Sequence, residues 1–310
     1  MSPPTPRVSA VGRPPPGDLA LMAVGVAAVS TSGPLIVATA APALAIAFWR
    51  TAFATVAIAP YTAVRYRREI ASLTRRERAL AVLAGVLLAA HFATWVPSLR
   101  YTSVASSTAL VAVQPVWALL AARRMGQQVP SRAWYGVAVA LVGVLVLTGV
   151  DFSLSGRALF GDLLALVGGI FSALYVTVGS QVRRSLSTAT YTLICYASCA
   201  VLLSVVCVVG SQALTGYSQD TWVKLLALTA GAQLLGHSVF NIVLRTTSPS
   251  VVSLAILFEM PGAALIAAVW LGQHPPWPVL PAAALILAGV AIVIGSGAPG
   301  PDPAAALPAQ

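Results

Sequence analysis

The chain has 310 residues, 58% of them hydrophobic and only 8% charged, with a mean hydropathy of +0.87. Soluble domains carry roughly a quarter charged residues, so this composition excludes one and describes a polytopic membrane protein. A net charge of +10 does not mark a nucleic-acid surface either, because the basic residues sit in short gaps between apolar runs, where they set topology.

Residues 1–16, MSPPTPRVSAVGRPPP, are rich in proline and lack the apolar core of a cleavable signal, which predicts a disordered cytoplasmic tail. Apolar runs near the bilayer-spanning length of about 20 residues then predict an all-α integral membrane protein of about ten helices. They fall at roughly 18–38, 43–64, 79–99, 102–122, 133–150, 161–181, 189–210, 222–243, 249–271 and 277–296, and residues 297–310 form a second disordered tail. With the first tail inside, fourteen basic residues fall on the cytoplasmic side: Arg7, Arg13, Arg65, Arg67, Arg68, Arg75, Arg76, Arg78, Arg123, Arg124, Arg132, Arg183, Arg184 and Arg245. Only Arg100, Arg157 and Lys224 fall outside, a bias that places both termini in the cytoplasm of an inner (plasma) membrane protein. Cys195, Cys199 and Cys207 share one apolar run without paired metal-ligand spacing, so they read as inert thiols and no metal is expected.

The chain repeats itself. Gly17, Asp18 and Leu19 recur as Gly161, Asp162 and Leu163, and Arg100, Thr102 and Ser103 recur as Arg245, Thr247 and Ser248. Gly126, Gln127, Pro130, Gly143 and Gly149 recur as Gly272, Gln273, Pro276, Gly289 and Gly295. This divides the chain into repeats at 17–150 and 161–296. Five helices per repeat is an odd number, so the halves enter the membrane from opposite sides, as inverted repeats about an axis in the membrane plane.

Glu259 is the one acidic residue near the middle of such a run. At about 1.5 Å per helical residue, Pro249 to Glu259 carries the carboxylate about 15 Å deep, the midplane of a ~30 Å core. A charge there is costly, so by default it faces a cavity or a partner. Pro261 follows and frees carbonyls near Leu257 and Met260, while Ala255, Gly262 and Ala263 keep the face open to close approach. Shifted by 145, Glu259 falls on Gln114, and Pro261 corresponds to Pro115; interruptions at matching places in two halves point to a midplane transport site. Trp117 lies on the same helical face as Gln114. Gln233, His237, Asn241 and Arg245 form a stripe spaced by four that lines an aqueous path, and His91 and Trp95 form a one-face pair. Ser30, Thr31, Ser32, Gly33 and Pro34 are the breakable centre of the first run, matched by Ser172, Tyr175, Thr177 and Gly179. Each of these polar residues also has a plain reading as a helix-packing group. Arg50, about eight residues into the second run, is expected to snorkel to the outer interface.

These residues resemble the drug/metabolite transporter superfamily, EamA type. The likeness rests on FWRTAFA at 48–54, YTSVASSTALVAVQPVWALL at 101–120, GVAVALVGVLVL at 136–147, RTTSPSVVSLAILFEMPGAALIAAVWLGQ at 245–273 and GVAIVIG at 289–295. Gln127 and Gln273 stand where that family commonly carries an acidic residue after the exit glycine. The resemblance implies two five-helix repeats around a central cavity lined by the first, third, fourth, sixth, eighth and ninth helices. The expected activity is secondary transport of a small metabolite, for example an amino acid, by export through alternating access, coupled to a proton or other ion. The alternative is multidrug or lipid-linked precursor translocation. An intramembrane enzyme would need an acid/base cluster or a motif such as HExxH, which the sequence lacks, so neither catalysis nor a cofactor is expected. The expected partners are the small-molecule substrate and the lipid bilayer. The candidate substrate or coupling residues are Glu259, Gln114, Trp117, His237, Asn241, His91, Trp95, Ser32 and Tyr175.

Overall fold

In the computed structural model, residues 15–124, 126, 128–183, 185–236, 239, 240, 243, 252 and 255–296 are described. Their regular structure is entirely helical. In chain order the helices are α1 (Pro16–Ser30), α2 (Ser32–Ala38), α3 (Ala43–Arg65), α4 (Arg67–Ser72), α5 (Arg75–Ser98), α6 (Val104–Val111) and α7 (Gln114–Arg124). They continue as α8 (Ser131–Leu154), α9 (Gly156–Val182), α10 (Thr188–Val209), α11 (Gln219–Leu228), α12 (Glu259–Leu271) and α13 (Val279–Gly295). α11 runs on as a π-helical segment, Thr229–Gly236.

Among the described residues seven spans are long and apolar enough to cross a bilayer, from Pro16–Ala38 to Thr188–Val209. α12 and α13 are apolar but shorter. The expected eighth and ninth spans, 222–243 and 249–271, pass through residues outside the described set, and the tenth is the shorter α13, so the described residues carry seven full spans rather than ten. Large apolar side chains stand on the outer surface, Val269 at 82% exposure and Leu145 at 70%, an arrangement suited to lipid as solvent.

Local chemistry sets where helices begin and break. Ser103, Ser155, Ser187 and Ser218 each cap a helix by accepting a backbone N–H three residues on, and Thr74 forms a reciprocal capping box with Glu77. Three apolar runs break just ahead of a proline, which has no N–H for the carbonyl four residues earlier. Pro34 leaves the carbonyl of Ser30 and the run bends at Thr31; Pro115 leaves that of Val111 and the run breaks at 112–113; Pro261 leaves that of Leu257 and the run breaks at 257–258. The Leu257 carbonyl expected to be free is partly reclaimed, by the Met260 N–H at 3.4 Å. At the far ends, Gly126 and Gly272 take the same left-handed turn, with φ of 83° and 65°, which side-chain-bearing residues resist.

The helices pair as a twofold relation between the repeats requires. α8 packs on α13 and α3 on α10, each with its own counterpart, α6 packs on α12, the counterpart of its continuation α7, and α5 on α9 is matched by α1 on the π segment. Individual contacts repeat too. A Cβ at Gly143 would lie 2.7 Å from the Ile286 nitrogen, and one at Gly289 would strike the nitrogen of Ala140. A shift of 146 turns Gly143 into Gly289 and Ala140 into Ile286, so this is one contact seen from both sides. Trp95 packs over Gly168, and Phe240, 145 residues later, packs over Gly25. Each of the two larger cores draws residues from both repeats, so the repeats interlock rather than standing as separate bodies.

Candidate functional site

The bend at Thr31 is the hub of the site. On one side the Ser30 hydroxyl donates to the Glu259 carbonyl at 3.2 Å, with Gly262 lying directly against Ser30 because it has no side chain to hold them apart. On the other side the buried Ser32 hydroxyl accepts from Arg50 Nη1 at 3.4 Å. A break of three polar residues therefore touches both an acidic residue, Glu259, and a basic one, Arg50.

Arg50 corrects the sequence-based expectation. It does not snorkel: it is 4% exposed and turned inward. Its Nε and Nη2 both donate to Gln233 Oε1, at 3.1 and 2.6 Å, and the guanidinium lies 4.5 Å from the Phe92 ring centre and 6.0 Å from that of Trp95. The physical reason is that three neighbouring elements, α2, α5 and the π segment, present acceptors and ring faces close enough that the side chain need not reach water. Arg50 and Glu259 make no ion pair within 4.0 Å; among the described residues the only ion pair is Lys224–Asp220. The Glu259 side chain is half-buried, and among the described residues its carboxylate has no hydrogen-bond donor.

His91 and Trp95 join this cluster. Their rings stack at 5.5 Å and 11°, and His91 Nδ1 lies 2.9 Å from the Gly168 carbonyl. A carbonyl only accepts, so Nδ1 carries the proton and Nε2 of the neutral ring is the free lone pair. The indole N–H of Trp95 is buried without an acceptor among the described residues, as is that of Trp117.

The counterpart break holds the rest. Gln114 opens α7 as Glu259 opens α12, and its Oε1 accepts from the Ser172 hydroxyl at 2.7 Å. Trp117 lies against Gly169, whose neighbour Gly168 binds His91, so α9 links the two clusters. Met260, beside Glu259, shares a core with Val113 and Val116, which flank Gln114 closely. The structure thus brings together Ser32, His91, Trp95 and Glu259 around Arg50 and Gln233, and sets Gln114 with Trp117 at the matching break. Tyr175 packs against the core that holds Trp95 together with Tyr191, Cys195 and Tyr196. His237 and Asn241, with Arg245, lie outside the described residues.

Sequence reasoning missed one further polar contact. The Glu69 carboxylate, on α4, accepts from the Ser187 N–H and hydroxyl, each at 2.6 Å, and from the Thr190 hydroxyl at 2.9 Å, tying the α4 loop of the first repeat to the start of α10. The Ser-x-x-Thr start of α10 was visible as a helix cap, but nothing local pointed to a carboxylate 118 residues away.

The model of the EamA-like transporter family matches this sequence twice, over residues 16–149 and 159–295. A solved crystal structure superposes with a TM-score of 0.62 at 16% identity, covering 89% of this chain and 96% of that one, and at that identity it speaks to the fold alone. No curated protein matches the sequence.

Proposed function

The chain belongs to the EamA-like transporter family, a family of multi-pass membrane transporters of small molecules, and from that premise we propose that it is a secondary transporter exporting a small metabolite across the plasma membrane. Two inverted five-helix repeats rock about the bends and breaks described above, exposing one central site to each side in turn. The observation that carries this reading is the pair of matching breaks. Gln114 and Glu259 each open a half-helix behind a proline-induced break, and each meets a serine hydroxyl from the first helix of a repeat, Ser172 and Ser30. Backbone irregularity at membrane depth is tolerated where it lines a cavity, and matching irregularities in two halves mark a transport site. Glu259 is the coupling group, alternating between a neutral and a charged form, with His91 and the stripe of His237 and Asn241 along the path. Energy comes from an ion or substrate gradient.

Both tails and the 65–78 loop are cytoplasmic, and ten spans complete the topology. Multidrug translocation is the less supported reading, because a cationic drug would have to sit beside the inward-facing Arg50. The deciding experiment reconstitutes the full chain in proteoliposomes and follows counterflow of candidate amino acids, other metabolites and cationic drugs. Saturable exchange of at least one solute is expected; its absence for all classes overturns the reading.

A further inference from the structure

Resting on the transporter reading above, we infer that Arg50 is a docking point for the carboxylate of the transported solute. The substrate class is then a small zwitterion of amino-acid type, its carboxylate on Arg50 and its ammonium toward Glu259.

Arg50 is permanently charged and almost wholly buried, yet every group it touches is neutral: Gln233, Ser32, Phe92 and Trp95. A structural arginine inside a membrane is ordinarily matched by a resident carboxylate. Glu259 does not fill that role, since the two make no ion pair. A guanidinium has five N–H groups, and here three are used, two of them on the single Gln233 oxygen. One N–H on each of the two terminal nitrogens is left without an acceptor among the described residues, and two adjacent N–H groups match the two oxygens of one carboxylate.

A second, independent observation points the same way. The Trp95 ring lies 6.0 Å from the guanidinium, and its indole N–H is buried with no acceptor among the described residues. Buried donors normally find partners, so a cluster of donors without acceptors calls for an acceptor-rich group. Charge then restricts the class. Ser32 holds Arg50 and Ser30 holds the Glu259 backbone, so cation and anion flank the same bend. A zwitterion pairs both charges and leaves the site neutral. An amine without a carboxylate leaves Arg50 unmatched, and a dianion sets its second charge against Glu259. The Phe92 and Trp95 faces suit an apolar side chain.

The test uses the full chain in proteoliposomes and a matched panel: neutral L-amino acids, their carboxamides and their decarboxylated amines, scored by counterflow and by protection against thermal unfolding. At least one amino acid is expected to bind, with its amide and amine weaker by about 10- to 100-fold, the share of charge-assisted hydrogen bonds. Arg50→Gln is expected to erase that preference. Gln233→Glu gives Arg50 a resident carboxylate in a stably paired fold and is expected to weaken amino-acid binding to the same degree, so it decides the matter even where Arg50→Gln does not fold. Amides and amines binding as well as the acids, or Gln233→Glu keeping wild-type affinity for the acid, overturns the inference. A protein that exchanges amines, drugs or other metabolites but no carboxylate-bearing solute likewise overturns it and leaves the transporter reading standing; one that exchanges no solute of any class overturns both.

Discussion

Gln233→Leu isolates the contact that turns Arg50 inward. Gln233 Oε1 receives two N–H groups of the guanidinium, at 3.1 and 2.6 Å, and without it the described partners left are the Ser32 hydroxyl at 3.4 Å and the Phe92 and Trp95 faces. A single hydrogen bond to a charged group contributes about 1.5–3 kcal/mol, and stripping a buried charge of its main partner costs about 3–5 kcal/mol. The leucine fits the site by size, so the loss expected is close to the lower end of that range, about 3 kcal/mol. Removing both groups, as Arg50→Met with Gln233→Leu, eliminates the stranded charge and is expected to recover most of the loss. Thermal unfolding of purified protein followed by tryptophan fluorescence reads all four members of the cycle. Gln233→Leu should unfold several degrees below wild type and the double variant well above it. If Gln233→Leu matches wild type and the two single effects add within about 0.5 kcal/mol, the pair is not coupled and Arg50 reaches the interface after all.

Gly143→Val and Gly289→Val should each destabilise by about 1–3 kcal/mol, because the new side chain meets backbone atoms that cannot yield, whereas Gly149→Val, with nothing within 4 Å of its Cβ, should be neutral in the same unfolding assay. Glu69→Ala removes the acceptor of three hydrogen bonds at the start of α10 and should cost about 1–3 kcal/mol; Glu69→Gln, which keeps an acceptor oxygen, should lose less. A cysteine at Ser72, beside that contact, should resist an impermeant thiol reagent applied to intact cells and react once the membrane is opened, while reaction from outside reverses the proposed topology.

Features with a local cause were legible in the sequence. Proline removes an N–H wherever it stands, so the breaks ahead of Pro115 and Pro261 and the bend ahead of Pro34 could be expected from the chain alone. The left-handed exits at Gly126 and Gly272 follow equally from glycine at matched places. Features set by distant partners were not legible. Arg50 has an apolar neighbourhood in sequence, and its acceptor on Gln233 lies 183 residues away, so a rule that considers only depth sends it to the interface. The available signal was Gln233 itself, already placed on a polar stripe, together with Phe92 and Trp95 three residues apart on α5.

The central claim, that Glu259 couples transport rather than packing a helix, is tested most directly by Glu259→Gln. The amide keeps the side-chain shape, and the backbone carbonyl that Ser30 holds is untouched, so the variant should insert and fold like wild type. Counterflow and gradient-driven flux of the same solute, measured in the same vesicles across several pH values, should show gradient-driven flux lost and its pH dependence flattened. Wild-type rates for both, with the pH profile unchanged, would contradict the account.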